Sequence, residues 1–209
     1  HLPSALRLLG RLDVAALQPT LDRLVARHEG LRTRSVAGDG APYQQIAPEG
    51  CGFALRRDDL SRLPAAERES LVAKVTAEEA REPFDLSQGP LIRGRLLKLT
   101  DDEHVLLVTQ HHIVSDGWSL GILVREVATL YTAFSRGAAD PLPPLDIQYA
   151  DYAQWQRQSL QGEELTRQFD FWKAHLGGAP ALLELPTDRP RPAVQSHAGG
   201  AVPFLVPAE

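Results

Sequence analysis

The 209-residue chain has the composition of a folded, soluble protein, with 43% hydrophobic and 23% charged residues. Its net charge of −5 leaves no basic surplus for phosphate backbones, which argues against nucleic acid as a partner. No apolar stretch approaches the roughly 20 residues that span a bilayer, which argues against a membrane partner, and the single cysteine, Cys51, suggests a reducing, cytoplasmic setting.

The first predicted elements are a helix and two extended segments. The helix spans about Val14–His28, with Asp13 as its N-cap and apolar residues at helical spacing. Extended segments are predicted at Leu31–Val36 and Tyr43–Ile46, with a turn rich in glycine and proline between them.

The middle of the chain predicts a helix followed by two strands. The helix begins near Pro64, since proline favours the first helical turn, and ends before Pro83. The strands are Leu91–Leu99 and His104–Gln110. The second contains the uninterrupted apolar run Val105–Val108, so it is predicted to be covered on both faces and central in its sheet.

The remaining sequence predicts three helical segments and a linker. An amphipathic helix runs from Leu120 to Phe134, and two further helical pieces cover Tyr149–Trp155 and Leu165–Leu176. From Gly177 onwards prolines predominate, which indicates an extended linker leading to a last strand, Ala201–Val206. Strands and helices therefore interleave, and the predicted fold class is α/β.

The segment Gln110–Ser119 carries the candidate chemistry, because it joins a buried strand to a helix. Histidine can take up and return a proton near neutral pH. Adjacent side chains on an extended backbone point in opposite directions, so only one of His111 and His112 is predicted to face a cleft. A purely structural interpretation remains open: a half-buried histidine pair, with Asp116 or Ser119 as the N-cap of the next helix. Ligand spacing does not favour a metal site.

Four segments, in order along the chain, carry a family resemblance. His111–Ser119 resembles the HHxxxDGWS signature of condensation domains in nonribosomal peptide synthetases. Arg27–Thr33 resembles the family's RHExLRT motif, Pro83–Leu91 its PFDLxxGPL stretch and Tyr149–Trp155 its YxDYAxW motif. The segment 185–200 is similar to the family's inter-lobe linker. Taken together, the ordered motifs are far more specific than HHxxxD alone.

The resemblance implies a fold similar to that of chloramphenicol acetyltransferase, in which two lobes form a V around the active site. This chain would then supply a mixed sheet flanked by helices. Residues 1–178 would be the N-terminal lobe, and residues 179–209 the inter-lobe linker with the first strand beyond it. The sequence contains no methionine and opens at His1, which predicts a segment of a longer polypeptide. Without the C-terminal lobe, we expect little or no condensation activity.

The resemblance also implies the reaction and the partners. Donor and acceptor peptidyl carrier domains would each present a substrate on a phosphopantetheine arm, and the acceptor amine would attack the donor thioester to form a peptide bond. The condensation domain itself would bind no cofactor and no metal. The C-terminal lobe and an adjacent adenylation domain would be further partners.

By resemblance, His112 would lie at the reaction centre, where it would accept the proton of the attacking amine or orient that amine. Gly117 would bring a backbone N–H near the developing oxyanion. Asp116 would be a scaffold residue paired with an arginine, with Arg32 as the candidate partner. Arg27 would brace the same loop.

The remaining motif residues are predicted to have structural roles. His111 and Ser119 belong to the active-site loop, and Ser119 has no predictable activating base. Trp118 and Trp155 are predicted to be core anchors, and Tyr149 and Tyr152 to form one packed helix face.

Two other functions remain open. One is a different acyltransferase of the same superfamily, which would use a CoA or carrier thioester. The other is a non-catalytic module that docks carrier proteins. The residues DGWS after the histidine pair favour ordinary condensation over the epimerising subclass, and the pair itself argues against the cyclising subclass.

Overall fold

The computed structural model describes residues 1–38, 40–194, 196, 202 and 204–206. The chain divides into two compact units, residues 1–160 and 161–209. The first contains six strands: β1 (Leu2–Leu9), β2 (Thr33–Val36), β3 (Tyr43–Ile46), β4 (Ala54–Asp59), β5 (Ile92–Thr100) and β6 (Glu103–Gln110). It also contains four α-helices: α1 (Val14–Arg27), α2 (Ala65–Arg81), α3 (Gly117–Phe134) and α4 (Tyr149–Ser159). The second unit contains α5 (Gly162–His175).

The main sheet has four strands in the order β1-β6-β5-β4. Strand β6 pairs antiparallel with both β1 and β5, whereas β4 runs parallel to β5. The sheet is therefore mixed, as predicted, and β6 lies inside it. Strands β2 and β3 form a separate antiparallel pair.

Both faces of the sheet are covered, which explains the uninterrupted apolar run in β6. Leu106 of β6 packs in one cluster with Leu21 and Leu24 of α1 and Leu123 of α3. The alternate residues of β6, Val105 and Leu107, pack in a second cluster with Val75 of α2. Burial of these two clusters supplies the main hydrophobic stabilisation of the first unit.

Most predicted elements are confirmed, and α1 is the clearest case. It begins one residue after Asp13, whose Oδ1 accepts the N–H of Ala16 at 3.0 Å, so the predicted N-cap is confirmed. The boundary after α1 is one of those that differ from the prediction. Residues Glu29–Arg32 form a short 3-10 turn, so the extended segment begins at Thr33 instead of Leu31.

The sequence analysis missed strands β1 and β4, which are the two edges of the main sheet. The sequence of β4, Ala54–Asp59, has four charged residues in a row and no alternation of apolar residues. Its strand conformation comes from parallel pairing with β5, a tertiary contact that local pattern does not reveal.

Trp155 of α4 is not a core anchor, contrary to prediction. Trp155 is 60% exposed, and Tyr149 and Tyr152 are also exposed. The three rings line up along the helix, with 5.8 Å between successive centroids, so they contact one another. In the part of the first unit that the structure describes, no apolar surface covers them.

The chain after α5 is described only in part. The predicted strand Ala201–Val206 includes residues 201 and 203, which lie outside the described residues. Val202 and residues 204–206 are not in a strand. Among the described residues, no helix is both long and apolar enough to cross a bilayer.

Gly94 in β5 is required by close packing. A Cβ added there would lie 2.8 Å from Cε1 of Phe53 and 2.9 Å from the backbone oxygen of Leu107. We therefore expect Gly94→Ala to lower the free energy of unfolding by about 1–3 kcal/mol, the usual cost of overpacking. Chemical denaturation measures this change.

Gly121→Ala is the matched control, because its added Cβ would have only the mobile Nη1 of Arg125 nearby, at 3.7 Å. Alanine at this position inside α3 should raise stability by about 0.5–1 kcal/mol. If the two variants behaved alike, the proposed steric conflict at Gly94 would be wrong.

His104 of β6 should make the fold sensitive to acid. Burial, with a smaller effect of the Lys98 charge, lowers the pKa of His104 below its usual 6.5. As the pH falls below about 6.5, the unfolded chain takes up a proton that the folded chain does not, so stability decreases. His104→Leu should flatten this dependence by up to about 1.4 kcal/mol per pH unit. Denaturation series between pH 5 and pH 8 test it. Parallel curves for parent and variant would contradict the assignment.

Candidate active site

The motif loop begins where β6 ends, at Gln110, and α3 begins seven residues later, at Gly117. Gln110 is buried between Leu2 of β1 and Ile92 of β5, so the loop starts from a fixed point. The turn that follows is closed by a hydrogen bond from the N–H of Val114 to the oxygen of His111, at 3.1 Å.

The two adjacent histidines lie in different environments. His111 is half-buried, and its ring packs edge-on against Phe84 with centroids 6.0 Å apart, which brings the segment Pro83–Leu91 to the motif loop. Its Nδ1 accepts the N–H of Ile113 at 3.1 Å, so the neutral ring carries its proton on Nε2. Burial lowers the pKa of His111, which favours this neutral, accepting form.

His112 is exposed and lines a cavity of about 400 Å³. The cavity lies among the motif loop, the end of α1, strand β3, helix α3 and the start of α4. The structure thus brings together residues from three of the four motif segments. His111 and Arg27 do not line the cavity.

Asp116 caps α3. Its Oδ1 accepts both the N–H of Ser119, at 2.8 Å, and the Ser119 hydroxyl, at 2.6 Å. These hydrogen bonds lower the pKa of Asp116, so it is ionised at neutral pH. This geometry matches the purely structural interpretation, in which Asp116 is the N-cap of α3.

The predicted pairing of Asp116 with Arg32 is wrong. Within the part of the chain that the structure describes, Arg32 has other partners. The Arg32 guanidinium is buried and donates to the backbone oxygens of Ala26 and Ala47. The nearest carboxylate is Glu29, at 3.5 Å. Arg32 therefore joins the end of α1 to the residue after β3 and does not pair with Asp116.

Trp118 was predicted to be a core anchor, and this prediction is also wrong, since the residue is 84% exposed. It lies in the first turn of α3, on the side of the helix that no other described residue covers. Gly117 is exposed as well, does not line the cavity and lacks a positive φ, so its backbone conformation does not require glycine.

Arg27 and His28 brace α3 through Glu126. Arg27 Nε lies 3.1 Å from Glu126 Oε1, and His28 Nε2 lies 2.5 Å from Glu126 Oε2. Arg27 Nη1 also donates to the backbone oxygen of Pro143, at 2.6 Å. The buried Arg27 thus supports α3 and the segment before α4, so its bracing contact is with the helix that follows the motif loop.

Gln148 is a structural residue that the sequence analysis missed. Its side-chain amide accepts the N–H of Glu29 at 3.1 Å and donates to the oxygen of Arg27 at 3.0 Å. Its backbone N–H donates to Asp151, which completes a capping box at the start of α4. The available signal was its position three residues before an aspartate at a helix start.

Two buried polar atoms near the histidines have no hydrogen-bond partner among the described residues. They are Oγ of Ser115, in the motif loop, and Oε1 of Gln110, at the end of β6. Ser115 is only 7% exposed and lines the cavity. Across all the residues that the structure describes, no group of three His, Cys, Asp or Glu side chains could hold a metal ion.

A family model described as "Condensation domain" matches residues 1–209. The chain belongs to the condensation-domain family. Condensation domains are found in nonribosomal peptide synthetases, and the similar proteins are enzymes of this kind. Malpinin synthetase of Mortierella alpina is 50% identical over 202 residues, which are 97% of this chain and 3% of that protein. Phosphinothricin tripeptide synthetase PhsB of Streptomyces viridochromogenes is 47% identical over 203 residues, 97% of this chain and 17% of that protein.

A solved structure also resembles this condensation-domain chain. The X-domain from teicoplanin biosynthesis has 37% sequence identity and a TM-score of 0.81, over 92% of this chain and 42% of that one. The predicted fold class, an α/β fold like that of chloramphenicol acetyltransferase, is confirmed. The chain thus spans less than half of this solved chain and less than a fifth of either synthetase.

Breaking the ion pair between Arg27 and Glu126 should cost much more stability than breaking an exposed pair. Arg27→Met leaves Glu126, whose side chain is 11% exposed, without its guanidinium partner. We expect the free energy of unfolding to fall by about 3–5 kcal/mol, the usual cost of breaking a buried pair.

Arg56→Met is the matched control, because it breaks the exposed pair with Glu82. This loss should be about 0–1 kcal/mol. Urea denaturation of the two variants gives both values, and equal losses would refute the bracing role of Arg27.

Proposed function

We propose that this chain supplies the His112 side of the cavity in which a condensation domain forms an amide bond. The substrates are a donor acyl or peptidyl thioester and an acceptor aminoacyl thioester, each held on a carrier domain by a phosphopantetheine arm. The observation that carries the proposal is the position of His112: it is exposed to a cavity at the end of the central strand, in a chain of this family.

The reaction needs no redox partner. The lone pair of the acceptor amine attacks the carbonyl carbon of the donor thioester, the C–S bond breaks, and the departing thiolate takes up a proton. The products are an amide and a free thiol on the donor arm. Most of the catalytic advantage comes from holding amine and thioester together, since correct orientation replaces a bimolecular encounter.

His112 acts on the acceptor amine. Its imidazole accepts a hydrogen bond from the amine and so directs the nitrogen lone pair at the carbonyl carbon, and it can take the proton that the nitrogen loses. His111 acts only through the loop, because its Nδ1 is already used by the N–H of Ile113.

The backbone N–H of Gly117, at the start of α3, is the proposed oxyanion donor. The geometry supports this role less than it supports the role of His112. Gly117 does not line the cavity, and the ionised carboxylate of Asp116 precedes it. A negative charge at that position opposes the development of another one.

The partners follow from the same proposal. A cavity of about 400 Å³ accommodates a tethered acyl or aminoacyl group but not a carrier domain, so the carriers dock outside it. The donor and acceptor carrier domains, the C-terminal lobe and an adjacent adenylation domain remain the proposed partners, in the cytoplasm. The domain itself is proposed to bind no cofactor, and the division into residues 1–178 and 179–209 also stays a prediction.

Replacement of His112 tests the proposal. In the full-length protein that contains this chain, His112→Ala should lower the rate of dipeptide formation from loaded carriers by about 10²–10⁴-fold, because the group that orients and deprotonates the amine is lost. Single-turnover assays, read by mass spectrometry of the carrier-bound product, measure the rate.

His175→Ala is the control, since this exposed histidine of α5 is outside the motif loop. Its turnover should equal that of the parent. Full turnover by His112→Ala would defeat the catalytic role. Lost turnover with unchanged affinity for the carriers would defeat the alternative of a docking module.

A further inference from the structure

We propose that the cavity beside His112 selects the acceptor residue by charge, admitting uncharged side chains and rejecting carboxylates. This inference rests on the proposed function. If His112 orients the acceptor amine, the side chain on the adjacent α-carbon must lie in the same cavity, because only one bond separates that carbon from the amine nitrogen.

The charges that line the cavity are of one sign. Among the described residues that line it, Glu29, Asp116 and Glu126 carry carboxylates, and His28 and His112 are the basic groups. Neither lysine nor arginine is among them. An anionic side chain would therefore meet like charges and find no permanent cation within the cavity.

The arginines that pair with two of these carboxylates, Glu29 and Glu126, lie outside the lining. Glu126 is also paired with His28, which does line the cavity. Arg27 holds Glu126 at 3.1 Å, and Arg32 lies 3.5 Å from Glu29. Both arginines are buried, with 8% and 7% of their surface exposed, and their guanidiniums already donate to backbone oxygens. They keep the carboxylates in place without offering an ion pair to a ligand.

The rest of the lining suits carbon and neutral polar groups. Apolar side chains such as Leu31, Ile122 and Ile147 make up much of the wall. Ser115 also lines the cavity, and its buried hydroxyl has no hydrogen-bond partner among the described residues. An entering carboxylate would lose its hydration without gaining a cation.

An isosteric pair of acceptors tests the inference directly. The full-length protein is supplied with one donor and with acceptor carriers loaded with glutamine or glutamate, which differ in charge but hardly in shape. We expect the single-turnover rate with glutamine to exceed that with glutamate by about tenfold or more, a difference of about 1.4 kcal/mol per factor of ten.

Glu29→Gln assigns the selection to this cavity. Glu29 is suited to the test because its side chain is partly exposed and only loosely paired, whereas loss of the Glu126 carboxylate would leave the buried Arg27 unpaired. The variant should raise the rate with glutamate relative to the rate with glutamine, through a lower KM for the glutamate-loaded carrier. Glu78→Gln, on the exposed side of α2 and outside the cavity, is the matched control and should keep the parental ratio.

The outcomes separate this inference from the proposed function. Equal rates with glutamine and glutamate in the parent would overturn charge selection and leave amide formation intact. An unchanged ratio in Glu29→Gln would overturn the assignment to this cavity. Discrimination that follows the charge of the donor, with the acceptor held constant, would overturn the assignment to the acceptor. Absence of amide formation with every acceptor would instead defeat the proposed function.

Discussion

The double coverage of strand β6 is the constraint on which the site depends. The strand is hydrogen-bonded on both edges, to β1 and β5, and its two faces pack against α1 and α3 on one side and α2 on the other. Its last residue, Gln110, is 1% exposed, and the next N–H, that of His111, donates to Leu91 at 3.0 Å. The loop that carries the candidate chemistry therefore starts from a residue held by both neighbouring strands and by packing on both faces of the sheet. A rigid starting point of this kind suits the proposed orientation of two reactants.

Polar contacts join the helices that line the cavity beyond that loop. Glu126 joins Arg27 and His28 at the end of α1 to the middle of α3, and Gln148 joins the same end of α1 to the start of α4. Ion pairs of this kind contribute little net stability compared with apolar side chains of the same volume. Their advantage is directional, since each bond sets one distance between two helices that line the cavity. The segment Arg27–Thr33 thus helps to shape the cavity, although only part of it touches the cavity.

The sequence predicted the helices and the central strand well, but it did not predict correctly which side chains pair with each other. Apolar periodicity located α1, α3 and the central position of β6, because burial of one or two faces leaves a direct trace in residue order. Strand β4 shows no apolar periodicity, because four consecutive charged residues make up most of it. It lies at a sheet edge and depends on pairing with β5 for its conformation. The resemblance identified Asp116 and Arg32 as important residues but paired them wrongly. Pairing depends on where two distant segments meet, and Arg32 instead donates to the backbone oxygens of Ala26, in α1, and Ala47, just after β3. Trp118 and Trp155 were predicted to be core anchors, but the size and apolarity of a side chain do not reveal whether a neighbour covers it.

The two adjacent histidines differ in what the structure does with each of them. The turn that exposes His112 is tied at its start by the His111 ring, whose Nδ1 can accept the N–H of Ile113 only while it is unprotonated. Burial against Phe84 lowers the pKa of His111 and so keeps that acceptor available near neutral pH. An aromatic ring without a nitrogen would fill the same space but leave the Ile113 N–H without its acceptor. The first imidazole is thus half-buried against Phe84, and the second is exposed to the cavity, in a turn that directly follows β6.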